Sequence, residues 1–443
     1  MNDAAKLKQE ILEKTIEYYK AVHKPKQDRS FNEGVDKVTY AARVFDEKEM
    51  VNLVSSSLDF WLTYGEYSKM FEEKLAQFLG VRWSLLVNSG SSANLLAFMS
   101  LTSPLLYDRR VKRGDEIITV AAGFPTTVAP AIQYGAVPVF VDVELDTFNI
   151  DTDKLEAAVS AKTKAVMIAH TLGNPFNIEK VKAFCEKHKL WLIEDNCDAL
   201  GSKFNGKYTG TFGDIGTSSF YPPHHMTMGE GGAVYTSNPT LRKIMLSIRD
   251  WGRDCWCDSG RDNTCGERFS KQFGKLPKGY DHKYVYSHFG YNLKVSDMQA
   301  AVGVAQLDKL PSFIEKRRKN FDMLYNGLKH LDKYLVLPKA TEGSEPSWFG
   351  FLLTIKPESP ATRNELAVYL EEEKNIQTRN LFGGNIVCHP CFEGLTEGLD
   401  YKISGKLKNT DIIMNDSIWL GVYPGMKQEQ IDYIIKSICQ KFA

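Results

Sequence analysis

The chain has 443 residues, which at roughly 150 residues per domain predicts two or three domains. Lys and Arg together number 55, as do Asp and Glu, so the formal net charge is zero and no overall positive field exists to attract nucleic acid or an anionic membrane. No stretch approaches the roughly 18 consecutive apolar residues of a membrane span. We therefore expect neither a nucleic-acid-binding protein nor a membrane protein.

The first 20 residues are rich in charge, and their apolar residues recur at helical spacing: Leu7, Ile11, Leu12, Ile16 and Tyr19. This pattern predicts an N-terminal helical segment, placed at residues 1–40. The stretch lacks the basic segment and apolar run of a secretory signal. We therefore expect a cytoplasmic protein whose eight cysteines do not form disulfides.

Short runs rich in Val and Ile alternate with helical patterns between about residue 80 and residue 240. The predicted strands are Glu116–Val120, Val137–Val141, Ala165–Ala169, Leu190–Ile193 and Ile215–Phe220. Helices are predicted at Thr152–Ser160 and Ile178–His188. Such alternation is typical of an α/β fold with a mainly parallel central sheet covered by helices.

The pattern changes from Arg249 to Tyr291, a polar segment without periodicity that is far longer than the usual connection of about 4 to 6 residues. Two consecutive helices are predicted next, Val295–Leu310 and Pro311–Leu331, and the remainder alternates strands and helices again. We therefore predict a large domain at 41–309, which includes a Cys-rich loop at 250–290, and a smaller C-terminal α/β domain at 310–443.

A Gly-Ser turn, Gly90, Ser91 and Ser92, precedes an apolar helical run. Free backbone N–H groups, the positive end of a helix and serine hydroxyls together suit a phosphate group. Taken alone, the turn is better explained by a serine that caps the helix.

Three other side chains follow predicted strands, at the edge of a parallel sheet where ligands bind. Asp195 could hold a protonated ring nitrogen, Phe124 could stack on a flat cofactor, and Ser219 could bind phosphate. Singly, each also fits a cap, a core residue or a turn. Together they favour a cofactor pocket.

Four cysteines, Cys197, Cys255, Cys257 and Cys265, follow the spacing C-x57-C-x-C-x7-C. In a reducing compartment, clustered thiols favour a metal or cluster site over disulfides, although a C-x-C step is unusual for structural zinc. Unrelated free cysteines are the alternative. The remaining cysteines fit loop packing or small buried side chains: Cys388 and Cys391 in a loop, and Cys185 and Cys439 in helices.

Further motifs run through most of the chain. They are Gly114-Asp115-Glu116-Ile117-Ile118, Pro138-Val139-Phe140-Val141-Asp142-Val143, Gly173-Asn174-Pro175, Glu194-Asp195, Gly229-Glu230-Gly231-Gly232, Gly290-Tyr291-Asn292 and Asp297-Met298-Gln299-Ala300-Ala301. In these motifs the chain resembles the nucleotide-sugar aminotransferase family. The resemblance implies the fold of type I pyridoxal phosphate (PLP)-dependent transferases, a pyridoxal or pyridoxamine phosphate (PMP) cofactor, and active sites at a homodimer interface.

The resemblance also implies roles for residues at matching positions. Asp195 would bind the pyridine nitrogen, Phe124 would stack on the ring, and Asn292 would reach the phosphate from the neighbouring subunit. Asp198 and Tyr221, which depart from the transaminase pattern, would face the cofactor. The implied phosphate site consists of Gly90, Ser91, Ser92 and Ser219.

His224 occupies the position of the family's catalytic lysine, four residues after Phe220 and six before Glu230. An imidazole is not a primary amine, so it cannot form the covalent link to pyridoxal phosphate that ordinary transamination needs. It can still transfer protons near neutral pH. Two adjacent histidines, His224 and His225, in a loop would otherwise suggest polar surface.

Histidine at this position resembles the sugar 3-dehydrases of the same family, which are lyases. The cysteine spacing resembles the members that use PMP and a [2Fe-2S] cluster to remove the C3 hydroxyl of CDP-4-keto-6-deoxyglucose, which implies 3,6-dideoxyhexose synthesis for lipopolysaccharide O-antigen. His224 would be the base, and Cys197, Cys255, Cys257 and Cys265 the cluster ligands. The resemblance also implies that the electrons come from a separate NADH-dependent flavin and iron–sulfur reductase. The lack of a G-x-G-x-x-G fingerprint in this chain is consistent with that source.

Two alternatives stay open. One is a cluster-free, glutamate-dependent 3-dehydratase acting on a GDP-4-keto-6-deoxysugar. The other is a catalytically silent sensor or scaffold with a structural zinc in the Cys-rich loop. The retained Asp195, phosphate turn and Asn292 argue against the silent protein, which would need none of them.

Overall fold

The computed structural model describes residues 3–257 and 260–442. The first two residues of the predicted N-terminal segment, two positions of the Cys-rich loop and the last residue therefore lie outside the described residues. The strands are β1 (Trp83–Val87), β2 (Glu116–Val120), β3 (Val137–Val141), β4 (Thr163–Ala169), β5 (Trp191–Asp195), β6 (Lys203–Phe204), β7 (Lys207–Tyr208), β8 (Ile215–Ser219), β9 (Gly232–Thr236), β10 (Leu335–Val336), β11 (Ser344–Glu345), β12 (Gly350–Ile355), β13 (Lys402–Ile403) and β14 (Ser417–Gly421).

The helices lie between and after these strands. They are α1 (Asp3–Tyr18), α2 (Lys24–Asp28), α3 (Glu47–Asp59), α4 (Glu66–Leu79), α5 (Gly90–Ser100), α6 (Pro125–Tyr134), α7 (Leu155–Ala158), α8 (Ile178–His188), α9 (Pro239–Arg249), α10 (Asp297–Leu328), α11 (Arg363–Val368), α12 (Lys408–Asp416) and α13 (Gln428–Phe442). In the described part of the chain, no helix is long and apolar enough to cross a membrane.

The central sheet has eight strands in the order β1-β9-β8-β5-β4-β2-β3-β13. Only β9 runs against its neighbours β1 and β8, and the remaining pairs are parallel. Successive residues of β2, Ile117 and Ile118, belong to apolar clusters on opposite faces, because side chains alternate along a strand. Both faces are therefore covered, and the predicted α/β fold with a mainly parallel sheet is confirmed.

The C-terminal part contributes strands to three sheets, one of which contains β11 beside β6 and β7. Strands β10, β12 and β14 form an antiparallel sheet of their own, whereas β13 extends the central sheet by pairing in parallel with β3. Helix α10 runs through residue 309, where the sequence predicts the end of the large domain. The predicted domain limits stay predictions.

Three predicted helices differ from the structure. Val295–Leu310 and Pro311–Leu331 form the single helix α10, because one hydrogen bond lost at Pro311 is outweighed by a buried face that continues through Leu310 and Phe313. The predicted helix Thr152–Ser160 shrinks to a 3₁₀ turn and the short α7. There the Ser160 backbone N–H donates to Thr163 Oγ1 at 2.9 Å and turns the chain toward β4.

The predicted aperiodic segment is confirmed. Between α9 and α10, the described residues contain one 3₁₀ turn, His282–Tyr284, and two isolated bridges. One bridge joins Asp250 to Asn292, so the two ends of this loop lie side by side.

Candidate active site

A cavity of about 640 Å³ opens at the carboxyl ends of the parallel strands, the edge where open α/β sheets bind ligands. Asp195 ends β5, Ser219 ends β8, and Phe124 follows β2 just before α6. Most of the residues predicted for a cofactor line this one cavity: Gly90, Ser91, Phe124, Asp195, Asp198, Ser219, Tyr221 and His224.

Asp195 is buried and held in one orientation by hydrogen bonds. Its Oδ2 accepts from Asn94 Nδ2 and from Thr127 Oγ1, both at 2.7 Å, and its Oδ1 accepts from the Cys197 backbone N–H at 3.1 Å. A carboxylate so fixed is suited to bind a protonated ring nitrogen. Asn94 and Thr127 were not identified as site residues from the sequence, although both stand within four residues of Gly90 or Phe124.

The Gly-Ser turn lies at the start of α5, against the end of β8. Ser89 caps the helix by accepting from the Ser92 N–H, which leaves the first-turn N–H groups beside Ser219. A Cβ atom at Gly90 would lie 2.4 Å from Ser219 Cβ, so only glycine permits this approach. Ser92 does not line the cavity, because its hydroxyl accepts from Ser89 Oγ at 3.1 Å.

His224 lies in the cavity wall next to Asp198. Its Nε2 is 3.5 Å from Asp198 Oδ1, and its Nδ1 is enclosed without a hydrogen-bond partner among the described residues. Burial raises the pKa of the Asp198 carboxyl, and His224 acts in the opposite direction. His225 has a structural role, since it is buried with its Nε2 2.7 Å from the Ser347 carbonyl oxygen and burial lowers its pKa.

Other residues of the cavity come from segments that carry no sequence signal for the site. Phe349, immediately before β12, lies with its ring centroid 5.1 Å from that of His224. Arg379 lies in a backbone pairing with Trp419, with its guanidinium 4.2 Å from the Tyr40 ring centroid. All four side chains line the cavity. Their approach depends on the tertiary fold, which no local pattern encodes.

Asn292 does not line the cavity of its own chain, and its side chain is exposed. It lies at the end of the Cys-rich loop, next to Phe289, which is fully exposed. The implied role of Asn292 in a neighbouring subunit stays a prediction.

Three of the four predicted ligand cysteines converge. The sulfurs of Cys255, Cys257 and Cys265 all lie within 4.8 Å of one another. Burial raises the pKa of Cys255 to about 11. Burial also opposes ionisation of Cys257, but hydrogen bonds, first among them that with Thr264, outweigh it and lower its pKa to about 7. This arrangement favours at least one thiolate.

The structure does not bring Cys197 into this group, so the predicted four-cysteine site does not form within the described residues of one chain. Cys197 lines the cofactor cavity, two residues beyond Asp195. Burial and the charge of Asp195 raise its pKa well above the usual value of a thiol. The hydrogen bond from its backbone N–H to Asp195 fixes Cys197 in the cavity wall, which the spacing alone cannot reveal. Cys388 and Cys391 are exposed, and Cys185 is buried.

Comparison with known proteins gives consistent results. Residues 45–439 match the DegT/DnrJ/EryC1/StrS aminotransferase family. The chain is 53% identical to the lipopolysaccharide biosynthesis protein RfbH of Salmonella typhimurium, over 99% of both chains. It is 50% identical to dTDP-4-dehydro-2,6-dideoxy-D-glucose 3-dehydratase of Saccharopolyspora spinosa, over 94% of this chain and 89% of that protein.

Among solved structures, GDP-4-keto-6-deoxymannose-3-dehydratase with a trapped PLP–glutamate geminal diamine is similar to this chain. The two have 31% sequence identity and a TM-score of 0.80, and the match covers 90% of this chain and 99% of that one. This likeness agrees with the central sheet and with the fold of type I PLP-dependent enzymes. The chain is therefore an enzyme of the DegT/DnrJ/EryC1/StrS aminotransferase family.

Proposed function

We propose that this enzyme removes the C3 hydroxyl from a nucleotide-linked 4-keto-6-deoxysugar, in lipopolysaccharide O-antigen synthesis in the cytoplasm, with a pyridoxal or pyridoxamine phosphate cofactor. The observation that carries the proposal is His224, which lies in the cofactor cavity beside Asp198 where a transaminase needs a lysine. The names of the two relatives, a lipopolysaccharide biosynthesis protein and a sugar 3-dehydratase, support the same reaction class.

The residues of the cavity fit a phosphorylated pyridine. The phosphate would bind the first-turn N–H groups of α5 and the Ser219 hydroxyl, at the approach that Gly90 permits. The ring nitrogen would bind Asp195, which Asn94 and Thr127 already orient. Phe124 would cover the ring, since its side chain is half exposed at the cavity. Once bound, the cofactor supplies an electron sink for carbon–hydrogen and carbon–oxygen bond cleavage.

His224 is the proton-transferring residue in this proposal. Nε2 lies on the side of Asp198, and Nδ1 is enclosed, so the imidazole is held in the cavity wall. The Asp198 carboxylate would stabilise the imidazolium that forms when His224 takes a proton. The same imidazole can then return a proton to a leaving hydroxyl.

Arg379 offers the substrate a positive charge. It is exposed at the cavity wall next to Trp419, and a guanidinium binds phosphate oxygens in two parallel hydrogen bonds. We propose that it binds the diphosphate of the nucleotide sugar.

Two forms of the reaction differ in their electron source. We favour the cluster-free form, which regenerates its cofactor with glutamate. The similar solved structure contains PLP bound to glutamate. The second is a redox form with a [2Fe-2S] cluster, a partner reductase and a CDP-sugar. The convergence of Cys255, Cys257 and Cys265 favours it, because the cluster-free reaction needs no thiols.

A homodimer is part of the proposal. An exposed apolar turn follows α3, in which Phe60, Trp61 and Leu62 are 74%, 45% and 51% exposed. Apolar patches of this kind mark protein interfaces. A partner chain that covers them could also receive Asn292.

The test supplies the enzyme, loaded with pyridoxamine phosphate, with the CDP-, GDP- and dTDP-linked 4-keto-6-deoxysugars. Loss of the C3 hydroxyl is followed by mass spectrometry. Turnover with glutamate as the only added reactant supports the cluster-free form. Turnover that needs bound iron, an NADH-dependent reductase and anaerobic handling supports the redox form. Conversion of the 4-keto group to an amine with the C3 hydroxyl retained would contradict both.

A further inference from the structure

We propose that Arg317, on helix α10, is a positioning residue that holds the imidazole of His224 in its place in the cofactor cavity. This inference rests on the proposed function, in which His224 transfers protons. Arg317 does not itself line the cavity. It acts from behind the cavity wall, through the backbone that carries the imidazole.

Arg317 is a charged side chain in the interior of the protein, with 1% of its surface exposed. Taking a charge out of water is unfavourable unless polar groups replace the water. Burial lowers the pKa of the guanidinium to about 9, and the negative charge of Asp198 acts in the opposite direction, so Arg317 stays positive at neutral pH. An apolar side chain would fill this space without that penalty. The reason for an arginine must therefore lie in the hydrogen bonds that it makes.

The guanidinium joins two segments of the chain by donating to backbone carbonyl groups. Nη2 donates to the His224 carbonyl oxygen at 2.9 Å and to the Pro223 carbonyl oxygen at 3.4 Å. Nη1 donates to the Trp348 carbonyl oxygen at 3.2 Å. Because the guanidinium is planar and its N–H groups have fixed directions, these bonds set the separation of the two segments. A lysine has the same charge but no such fixed geometry.

The two segments that Arg317 joins form adjacent parts of the cavity wall. One is the turn that carries His224, in which the His224 N–H donates to the Tyr221 carbonyl oxygen at 2.9 Å. The other carries Trp348 and the next residue, Phe349, whose ring centroid lies 5.1 Å from that of the imidazole. A shift of about 1 Å in a reacting group can lower a rate about 100-fold. Bonds that fix the His224 backbone therefore affect proton transfer.

His225 supports the same arrangement with a second link. Its Nε2 lies 2.7 Å from the Ser347 carbonyl oxygen, and because a carbonyl oxygen only accepts, Nε2 carries the hydrogen. Burial and then the charge of Arg317 lower the pKa of His225, which keeps this imidazole neutral. Arg317 and His225 therefore hold successive carbonyl groups, those of Trp348 and Ser347. Both links fix the turn on its buried side, while the imidazole of His224 lines the cavity.

The next residue of α10, Arg318, offers an internal comparison. Its Nε donates to the Pro346 carbonyl oxygen and its Nη2 to the Glu345 carbonyl oxygen, both at 2.9 Å. Its side chain is 33% exposed. It binds the residues just before Trp348, so a substitution at Arg318 removes similar contacts between an arginine and the backbone without releasing the turn of His224.

The first experiment compares full-length Arg317→Met, Arg317→Lys and Arg318→Met with the unchanged protein, each loaded with pyridoxamine phosphate. The substrate-dependent exchange of the cofactor's C4′ hydrogen should fall about 100-fold in Arg317→Met. It should fall less in Arg317→Lys, which keeps the charge but not the directed bonds, and should be unchanged in Arg318→Met. Cofactor affinity should be the same in all four proteins, because the hydrogen bonds of Arg317 do not involve Asp195 or the phosphate turn.

A second experiment needs no substrate. Pyridoxal phosphate is added to His224→Lys, and formation of the covalent bond to residue 224 is followed by the absorption of the cofactor. Adding Arg317→Lys to this variant should slow the bond formation by about 10-fold or more, whereas adding Arg318→Met should not. In the unloaded protein, Arg317→Lys should also speed amide hydrogen exchange at residues 221–228 but not at residues 90–100. If Arg317→Met does not fold, Arg317→Lys supplies every measurement.

Two sets of results would overturn the proposal. One is C4′ exchange and amide exchange at residues 221–228 that stay as in the unchanged protein when Arg317 is replaced. The other is an equal loss in the Arg317 and Arg318 variants, or weaker cofactor binding that accounts for the lower rate, since either would indicate general structural damage. Failure of the proposed function gives a different result. C4′ exchange would then be insensitive to His224→Asn as well, while the lysine adduct and amide exchange would still report the position of residue 224.

Discussion

His224 Nε2 lies 3.5 Å from Asp198 Oδ1, and both side chains line the cavity that holds Asp195. Burial raises the pKa of Asp198, the His224 contact lowers it, and the nearby Asp195 raises it again. Two carboxylates therefore stand within three residues of each other, but only one has a histidine beside it. Asp195 would therefore hold the cofactor, whereas Asp198 would support proton transfer by His224.

His224→Asn removes the base but keeps a polar side chain of similar size. We expect the substrate-dependent exchange of the cofactor's C4′ hydrogen with solvent to fall by about 100-fold or more, the usual contribution of a positioned acid or base. Exchange is followed by deuterium uptake in the cofactor methylene group. A wild-type rate in the variant would show that another group is the base.

His224→Lys tests whether residue 224 lies where the transaminases of the family have their catalytic lysine. A primary amine there should form a covalent bond to added pyridoxal phosphate, which His224 cannot do. We expect a shifted cofactor absorption band and a lysine adduct, fixed by borohydride and located by mass spectrometry. The matched control is the unmodified enzyme. An unchanged spectrum in the variant would contradict the placement of residue 224 at the reactive end of the cofactor.

The parallel sheet and its binding edge follow from the sequence because both depend on local patterns. β2 and β3 lie at their predicted limits, since all residues of both strands are buried and most are β-branched or aromatic. Asp195, Ser219 and Phe124 come together because parallel strands end at one edge. The helix break predicted at Pro311 does not occur, because packing on both sides of Pro311 keeps α10 continuous.

The remaining site residues depend on distant segments. Arg379 and Trp419 reach the cavity through the C-terminal sheet, and Tyr40 through the N-terminal stretch. His282 lies 17 residues beyond Cys265 in a loop without periodicity. Its proximity to Cys265 depends on the hydrogen bonds of that loop, which no local pattern encodes.

Thr127→Val removes one of the two 2.7 Å hydrogen bonds to Asp195 Oδ2 while it preserves side-chain shape. A hydrogen bond to a charged group contributes about 1.5–3 kcal/mol, so cofactor affinity should fall by about 10-fold to 100-fold. Thr127→Ser keeps the hydroxyl and should remain near wild type. Affinity is measured by titrating cofactor into the stripped enzyme. Equal affinity of the two variants would show that Thr127 does not orient the carboxylate.

Gly90→Ala places a methyl group 2.4 Å from Ser219 Cβ. The start of α5 and the end of β8 must then separate, at a cost of about 1–3 kcal/mol. We expect weaker cofactor binding and a lower melting temperature. Gly394→Ala is the control, because a Cβ there meets no atom within 4 Å. If both variants bound the cofactor equally well, the close approach at Gly90 would not form the phosphate site.

Asp142 joins the end of β3 to the start of α12. Its oxygens accept from the Thr410 N–H at 2.9 Å, the Thr410 hydroxyl at 2.9 Å and the Asn409 N–H at 3.1 Å. Burial opposes its charge, but these donors outweigh burial and lower its pKa. The stabilisation is therefore complete above the unfolded-state pKa of about 3.9 and is lost as pH falls through the lower folded-state pKa.

Asp142→Asn should accordingly lower the free energy of unfolding by about 1–3 kcal/mol at pH 7, and the difference from wild type should shrink as the pH falls below about 4. Denaturant unfolding at pH 7, 5, 4 and 3 measures this trend. Asp153→Asn is the matched control, because that carboxylate is 85% exposed in its pair with Lys180 and should change stability by less than about 1 kcal/mol. If the stability difference for Asp142→Asn stayed constant with pH, the charge of Asp142 would not stabilise the contact between β3 and α12.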